Sequence, residues 1–137
     1  MNMELKTLMR EWLDILARGE THRWHEVADE EMVLRLPFAP TGLPGEMRGR
    51  DTCSAAAGEL WKSFKSFDWT EATIHATDDP NLLITLARSR AETLWGAIYA
   101  NQYCITTRFR NGKVVEQNEY MNPLVFMDVF AEHLPGA

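Results

Sequence analysis

The sequence predicts an α+β domain: a cone-shaped, strongly curved antiparallel sheet whose N-terminal helices enclose a pocket. Three observations predict it. Helical periodicity occupies the first third of the chain, four strand-like runs follow one another in the second half, and the last two runs meet at Asn111-Gly112. Helices first and an antiparallel meander afterwards put the helices on one face of the sheet. Asn-Gly between strand-favouring runs is the strongest short-range hairpin signal, because both central positions of a type I′ turn need positive φ. One domain over residues 1–137 suffices, since a chain of this length buries roughly two-thirds of the surface its unfolded form exposes.

From Leu5 the apolar residues Leu8, Met9, Trp12, Leu13, Ile15 and Leu16 recur at helical spacing, and Gly19 supplies a stop. Thr21 to Ala28 reads as a second short helix with Trp24 and Val27 inward, followed by a strand around Met32 to Leu36. Pro37 to Gly49 carries three prolines and three glycines, so it is expected to be a long loop, of a length often used as a lid. Asp51 to about Phe64 returns to the helical pattern, with Asp51 or Thr52 as cap and Ala56, Leu60, Trp61 and Phe64 inward. Trp69 to Thr77, Leu82 to Thr93, Ile98 to Phe109 and Lys113 to Asn122 then read as strands, broken at Asp78-Asp79-Pro80-Asn81, Trp95-Gly96 and Asn111-Gly112. Pro123 ends the last strand, and Leu124 to Phe130 is a short, helix-compatible terminal segment.

Composition narrows the function. A net charge of −6 argues against nucleic acid or an anionic membrane as partner, since either would want clustered Lys and Arg. No apolar run approaches a membrane span and the N-terminus lacks the order of a signal peptide, so a cytoplasmic protein is expected. Cys53 and Cys104 lie in different elements without a spacing motif and are expected to be reduced, buried thiols. His22 and His25 are three apart, but no third ligand has suitable spacing, so no metal site is expected. No phosphate loop, nucleophile elbow or dinucleotide fingerprint is present.

The last strand holds the main candidate. By period two, Val115, Gln117, Glu119 and Met121 share one face while Val114, Glu116, Asn118 and Tyr120 share the other. Both faces are mixed, which points either to a partly polar pocket or interface, or to an edge strand with solvated carboxylates. A lone carboxylate in an apolar pocket has its pKa raised by desolvation and exchanges a proton near neutral pH. In that setting Glu119 suits proton shuffling beside a carbonyl or imine, cyclisation of a polyketide-like intermediate, or activation of water, and none of these needs a cofactor.

Other candidates for ligand binding follow. Arg88, Arg90 and Glu92 share one face of their strand with Ile84 and Leu86, a pattern that fits either the pocket mouth or an ion pair across strands or a dimer interface. His75 alternates with Thr73 and Thr77, and Trp69, Trp95, Tyr99 and Tyr103 offer an aromatic lining or an aromatic core. Gln117, on the face of Glu119, and Trp61, on the inward face of the third helix, complete the set.

Thr77 to Asn81 (TDDPN), Tyr99 to Tyr103 (YANQY), Asn111 to Val114 (NGKV) and Glu119 to Asn122 (EYMN) together resemble the phenazine-biosynthesis A/B proteins. These belong to the SnoaL-like branch of the nuclear-transport-factor-2-like superfamily. From Trp61 to Asn122 the resemblance is nearly gap-free; before that it lies in element order. It implies a pocket between sheet and helices, a small hydrophobic molecule as partner, a homodimer through the sheet's outer face, and an acid/base role for the carboxylate at Glu119. The histidine and serine those proteins carry on the third helix fall at Gly58 and Lys62. The Arg-x-Glu pair at Arg90 and Glu92 is loosely similar to the water-activating set of limonene-epoxide hydrolases. A noncatalytic ligand-binding or interaction module of the same fold is the alternative, because one fold hosts many functions.

Overall fold

The helical spacing near the N-terminus folds as α1 (Asn2–Ala17) in the computed structural model, which describes residues 2–134. Its apolar stripe buries Met9, Trp12, Leu13, Ile15 and Leu16. Gly19 ends it at φ +63°, and a Cβ there would lie 2.7 Å from Cδ1 of Trp61, so both the backbone conformation and the close approach call for glycine. A 3-10 turn (Thr21–Arg23) and a one-turn helix α2 (Trp24–Val27) replace the single short helix expected there.

The strands β1 (Ala28–Arg35), β2 (Glu46–Arg48), β3 (Phe64–Ala76), β4 (Leu82–Thr93), β5 (Ile98–Arg110) and β6 (Lys113–Met121) form one curved, unclosed sheet in the order β2-β1-β6-β5-β4-β3. Helix α3 (Arg50–Trp61) precedes β3, and α4 (Pro123–Phe130) follows β6. Neighbouring strands run antiparallel except β1 with β6. That parallel pair is possible because more than seventy residues of crossover separate the two strands in sequence, far beyond the minimum of about a dozen. The β5–β6 turn has positive φ at both Asn111 (53°) and Gly112 (74°), as the Asn-Gly signal requires.

Several boundaries differ from expectation for local reasons. The segment after Pro37 is not wholly irregular: β2 pairs with β1, setting Leu34 opposite Met47. Helix α3 is capped by Gly49 without a side-chain cap, not by Asp51 or Thr52; Asp51 instead adds its charge to the first turn, where the helix dipole favours it. Phe64 opens β3 rather than closing α3, and β3 starts five residues early because irregularities at Phe64/Ser66 and Trp69/Glu71 disguise its alternation. A further irregularity between Arg108 and Phe109 pairs Phe109 with Val114 and Arg108 with Glu116. That bulge turns Val114, not Val115, onto the buried face with Gln117 and Met121.

The core lies between the helices and the inner face of the sheet. Phe126 and Phe130 of α4 stack at 4.5 Å between ring centroids and meet Tyr99 edge-on, closing one end. Asn122 caps α4 by accepting from the Leu124 amide at 3.0 Å. Cys53 is buried, Cys104 is half-buried, and both are free thiols. No helix of the described residues is long and apolar enough to cross a membrane.

Candidate functional site

β6 sits between β1 and β5, so Glu119 is not on an edge strand. It pairs with Ile105 on β5, two residues from the Gln117–Thr107 pair, and its side chain points to the inner face. Two cavities of about 110 and 60 Å³ meet there, sharing Leu36, Leu43, Leu60, Trp61, Trp69 and Glu119 as walls. The larger lobe reaches Trp12, Leu34, Ala57 and Gln117; the smaller reaches Phe64, Tyr99, Tyr103 and Phe126. Leu43 and Pro44 of the long loop, with Met47 of β2, roof the larger lobe.

Glu119 keeps some accessible surface because it lines this void, yet protein surrounds it on every side. Among the described residues no group hydrogen-bonds or pairs with its carboxylate. Loss of hydration alone therefore acts on it, and burial pushes its pKa up to about 7. Its charge in turn disfavours ionisation of Tyr99 and Tyr103, adding to the effect of their burial. Tyr99 is pushed up to about 12, and Tyr103 is raised well above the ordinary phenol value.

These two tyrosines belong to a buried polar chain. Ser89 Oγ and the Tyr103 hydroxyl lie 2.8 Å apart; Tyr103 donates to the Tyr99 hydroxyl at 3.4 Å, which also accepts from Asn101 Nδ2 at 2.8 Å. The second polar feature is Gln117, only 2 % exposed. Its Oε1 accepts from Trp12 Nε1 at 2.7 Å and from the Thr107 hydroxyl at 3.3 Å. Trp69 and Trp61 direct their indole N–H groups to the carbonyls of Leu13 and Ala17 in α1, at 2.8 and 3.3 Å, which sets both rings as cavity walls.

Of the residues singled out from the sequence, Glu119, Gln117, Tyr103 and Trp61 come together, and Trp69 and Tyr99 join them. Arg88, Arg90, Glu92 and His75 do not. Along β4 the inner positions are Leu83, Thr85, Ala87, Ser89, Ala91 and Thr93, so the intervening charged residues face away from the helices. Arg88 bridges to Glu71 at 3.5 Å and Glu92 to Lys65 at 3.9 Å, both across to β3. His75 is exposed, and Trp95 lies at the surface stacked 3.8 Å from His133. Gly58 and Lys62 line an open surface groove, whereas the α3 positions facing the cavity are Ala56, Ala57, Leu60 and Trp61. No polar partner for Glu119 comes from α3. Ser89 and Trp12 belong to the site without standing out in the sequence. Ser89 stands between Arg88 and Arg90 with no motif of its own, and Trp12 reads as an ordinary core position of an amphipathic helix.

The SnoaL-like domain model matches residues 9–117. An uncharacterised PhzA/B-like protein of Pseudomonas aeruginosa is 28 % identical over 123 residues, covering 89 % of this chain and 86 % of its own. The phenazine biosynthesis protein PhzB1 of the same organism is 28 % identical over 117 residues, covering 82 % of this chain and 71 % of its own. The crystal structure of a candidate isomerase from Bacillus subtilis superposes with a TM-score of 0.84 at 24 % identity, covering 96 % of both chains. By its sequence the chain belongs to the SnoaL-like domain family, and its fold is that of nuclear-transport-factor-2-like structures.

Proposed function

We propose that this chain is a cofactor-independent isomerase, cyclase or condensing enzyme acting on a compact hydrophobic ring, with Glu119 as its acid/base. The observation that carries this is an unpaired carboxylate, titrating at about 7, set between two apolar lobes. A group with that pKa is divided between acid and base at neutral pH, which is where proton transfer in both directions is most effective. Glu119 takes a proton from carbon beside a carbonyl or imine and returns it to another atom of the same molecule; no electrons leave the substrate. Taken together the two lobes suit a monocyclic ligand, since a dry cavity of roughly 150 Å³ holds benzene. Kinship with PhzB1 supports small-molecule chemistry. Water activation by an Arg-x-Glu set gains no support, because Arg90 and Glu92 lie on the opposite face of the sheet from Glu119.

We also propose a homodimer through the outer face of the sheet, where Leu86 and Ile98 stay 50 % and 46 % exposed on β4 and β5. Sedimentation should find dimers at micromolar concentration; monomers alone would refute the pairing.

The catalytic reading is tested by exchange of α-protons of a cyclic ketone in deuterated buffer, followed by NMR. Wild type should accelerate exchange, and Glu119→Gln should lose about 10²- to 10⁴-fold of it. Binding of ketone to both proteins without accelerated exchange would make this a ligand-binding module instead.

A further inference from the structure

We infer that Gln117 is the specificity-determining donor of this site, and that the larger lobe selects an uncharged ring carrying one hydrogen-bond acceptor, such as a ketone oxygen, over its anionic counterparts. This rests on the Glu119 cavity being a ligand site.

The orientation of the Gln117 amide follows from Trp12. An indole N–H can only donate, so the atom 2.7 Å from Trp12 Nε1 is the amide oxygen, and the Thr107 hydroxyl donates to the same oxygen at 3.3 Å. With Oε1 held twice, the NH₂ group is directed away from both partners. No described residue accepts from it, yet it is not a fully enclosed unpartnered polar atom, of which the described residues hold only Thr85 Oγ1. Gln117 lines the larger lobe, so its free N–H groups have the cavity as their outlet. An unmet buried donor is costly, and native interiors seldom leave one without a ligand or water to receive it.

The charge of the ligand follows from the other walls. Among the described residues no lysine, arginine or histidine lines either lobe, and the one carboxyl group there is that of Glu119. An anion would enter without a counterion and beside Glu119, whereas a neutral acceptor meets the Gln117 donor at no electrostatic cost. Gln117 and Glu119 are alternate residues of β6, on one face. A ring whose oxygen accepts from Gln117 therefore lies alongside the Glu119 carboxyl group.

The test compares binding of cyclohexanone, methylenecyclohexane and cyclohexanecarboxylate at pH 7.5, by calorimetry, to wild type, Gln117→Met and Ala57→Trp, which fills the larger lobe. Wild type should bind the ketone about tenfold more tightly than the hydrocarbon, the worth of one good hydrogen bond, and should bind the carboxylate weakest. Gln117→Met should erase the ketone preference, read as the ratio of ketone to hydrocarbon affinity within that variant. Should that variant fold poorly because Trp12 loses its acceptor, the double variant Trp12→Phe/Gln117→Met removes donor and acceptor together and should show the same loss of preference. Ketone preference persisting in these variants, or a carboxylate bound best, overturns the inference. Hydrocarbon binding that Ala57→Trp blocks, without any ketone preference in wild type, overturns it and leaves the cavity reading standing. Failure of both uncharged rings to bind, or binding indifferent to Ala57→Trp, overturns the cavity reading and the inference with it.

Discussion

The two faces of the strands β3 to β6 carry acidic residues in opposite circumstances. On the outer face, Glu116 pairs with Arg35 at 3.3 Å and Glu71 with Arg88 at 3.5 Å, all within reach of water. Nearby, hydrogen bonding from Arg108 holds the Asp79 carboxyl group below its ordinary pKa. On the inner face no cation or hydrogen-bond partner for Glu119 is found among the described residues, protein surrounds it, and its pKa moves the other way. Glu116 and Glu119 are three residues apart on one strand. What separates a solvated carboxylate from a proton-transfer group here is thus the face it occupies, and each prediction below tests one side of that contrast.

The largest effect should come from opening the inner face. Trp12 is fully buried, packs edge-on against Trp24 at 4.8 Å and holds Gln117. Trp12→Ala should cost about 3–5 kcal/mol, as large-to-small core changes do, read as a fall in the guanidinium midpoint. A cost under about 1 kcal/mol would mean that α1 is not packed on the sheet as described.

Next in size is the penalty carried by Glu119 itself. Its folded pKa of about 7 exceeds the ordinary 4.5, so between those values the folded state holds a proton that the unfolded state has lost. Stability should therefore fall as pH rises through this window; the penalty is absent below about 4.5 and complete above about 7, at roughly 3 kcal/mol. Glu119→Gln removes it. The variant should match wild type near pH 4.5 and exceed it increasingly toward pH 8 in urea denaturation. A difference independent of pH would place Glu119 in contact with water, and one of opposite sign would place it beside a cation; either would dissolve the contrast between the faces.

Gly19→Ala should act at intermediate scale. The added methyl meets Trp61 at 2.7 Å in a backbone conformation that disfavours it, for about 1–2 kcal/mol. Because Trp61 walls both lobes, the same substitution should weaken ring binding, whereas Gly96→Ala, at a positive φ with no atom within 4 Å of the new methyl, should leave binding unchanged. Equal ring binding by both variants would remove Trp61 from the ligand's surroundings.

The legible parts of the sequence were those with short-range causes. Asn111-Gly112 encodes its turn locally, the stripe of α1 is a local period, and the mixed faces of β6 were compatible with a pocket, an interface or an edge strand, of which the sheet order removes the edge strand. The bulge that exchanges Val114 for Val115 was hidden, because one extra residue shifts the faces on its two sides relative to each other while leaving composition untouched, so Val114 changed face and Gln117 to Met121 did not. Arg88, Arg90 and Glu92 could be grouped on one face by period two, but nothing local says which face turns inward. Ser89 and Thr85, alternating with them, were the inner set. Trp12 and Gln117 are 105 positions apart, so their bond leaves no pattern in one sequence.

The smallest effect should fall on the outer face, where the contrast is sharpest. Arg88 and Glu71 are 60 % and 65 % exposed, and their 3.5 Å contact is one N–O approach rather than a two-point fork. Ordering two long side chains in water offsets most of the attraction, so a double-mutant cycle with Arg88→Ala and Glu71→Ala should give a coupling within about 0.5 kcal/mol, vanishing in high salt. The cycle belongs at protein concentrations below and above any self-association seen by sedimentation. A coupling that stays small in both regimes confirms that charge on this face serves solubility. A coupling that grows with association would show that a second copy shields the pair from water, and the outer face would then share with the inner one the property that gives Glu119 its chemistry.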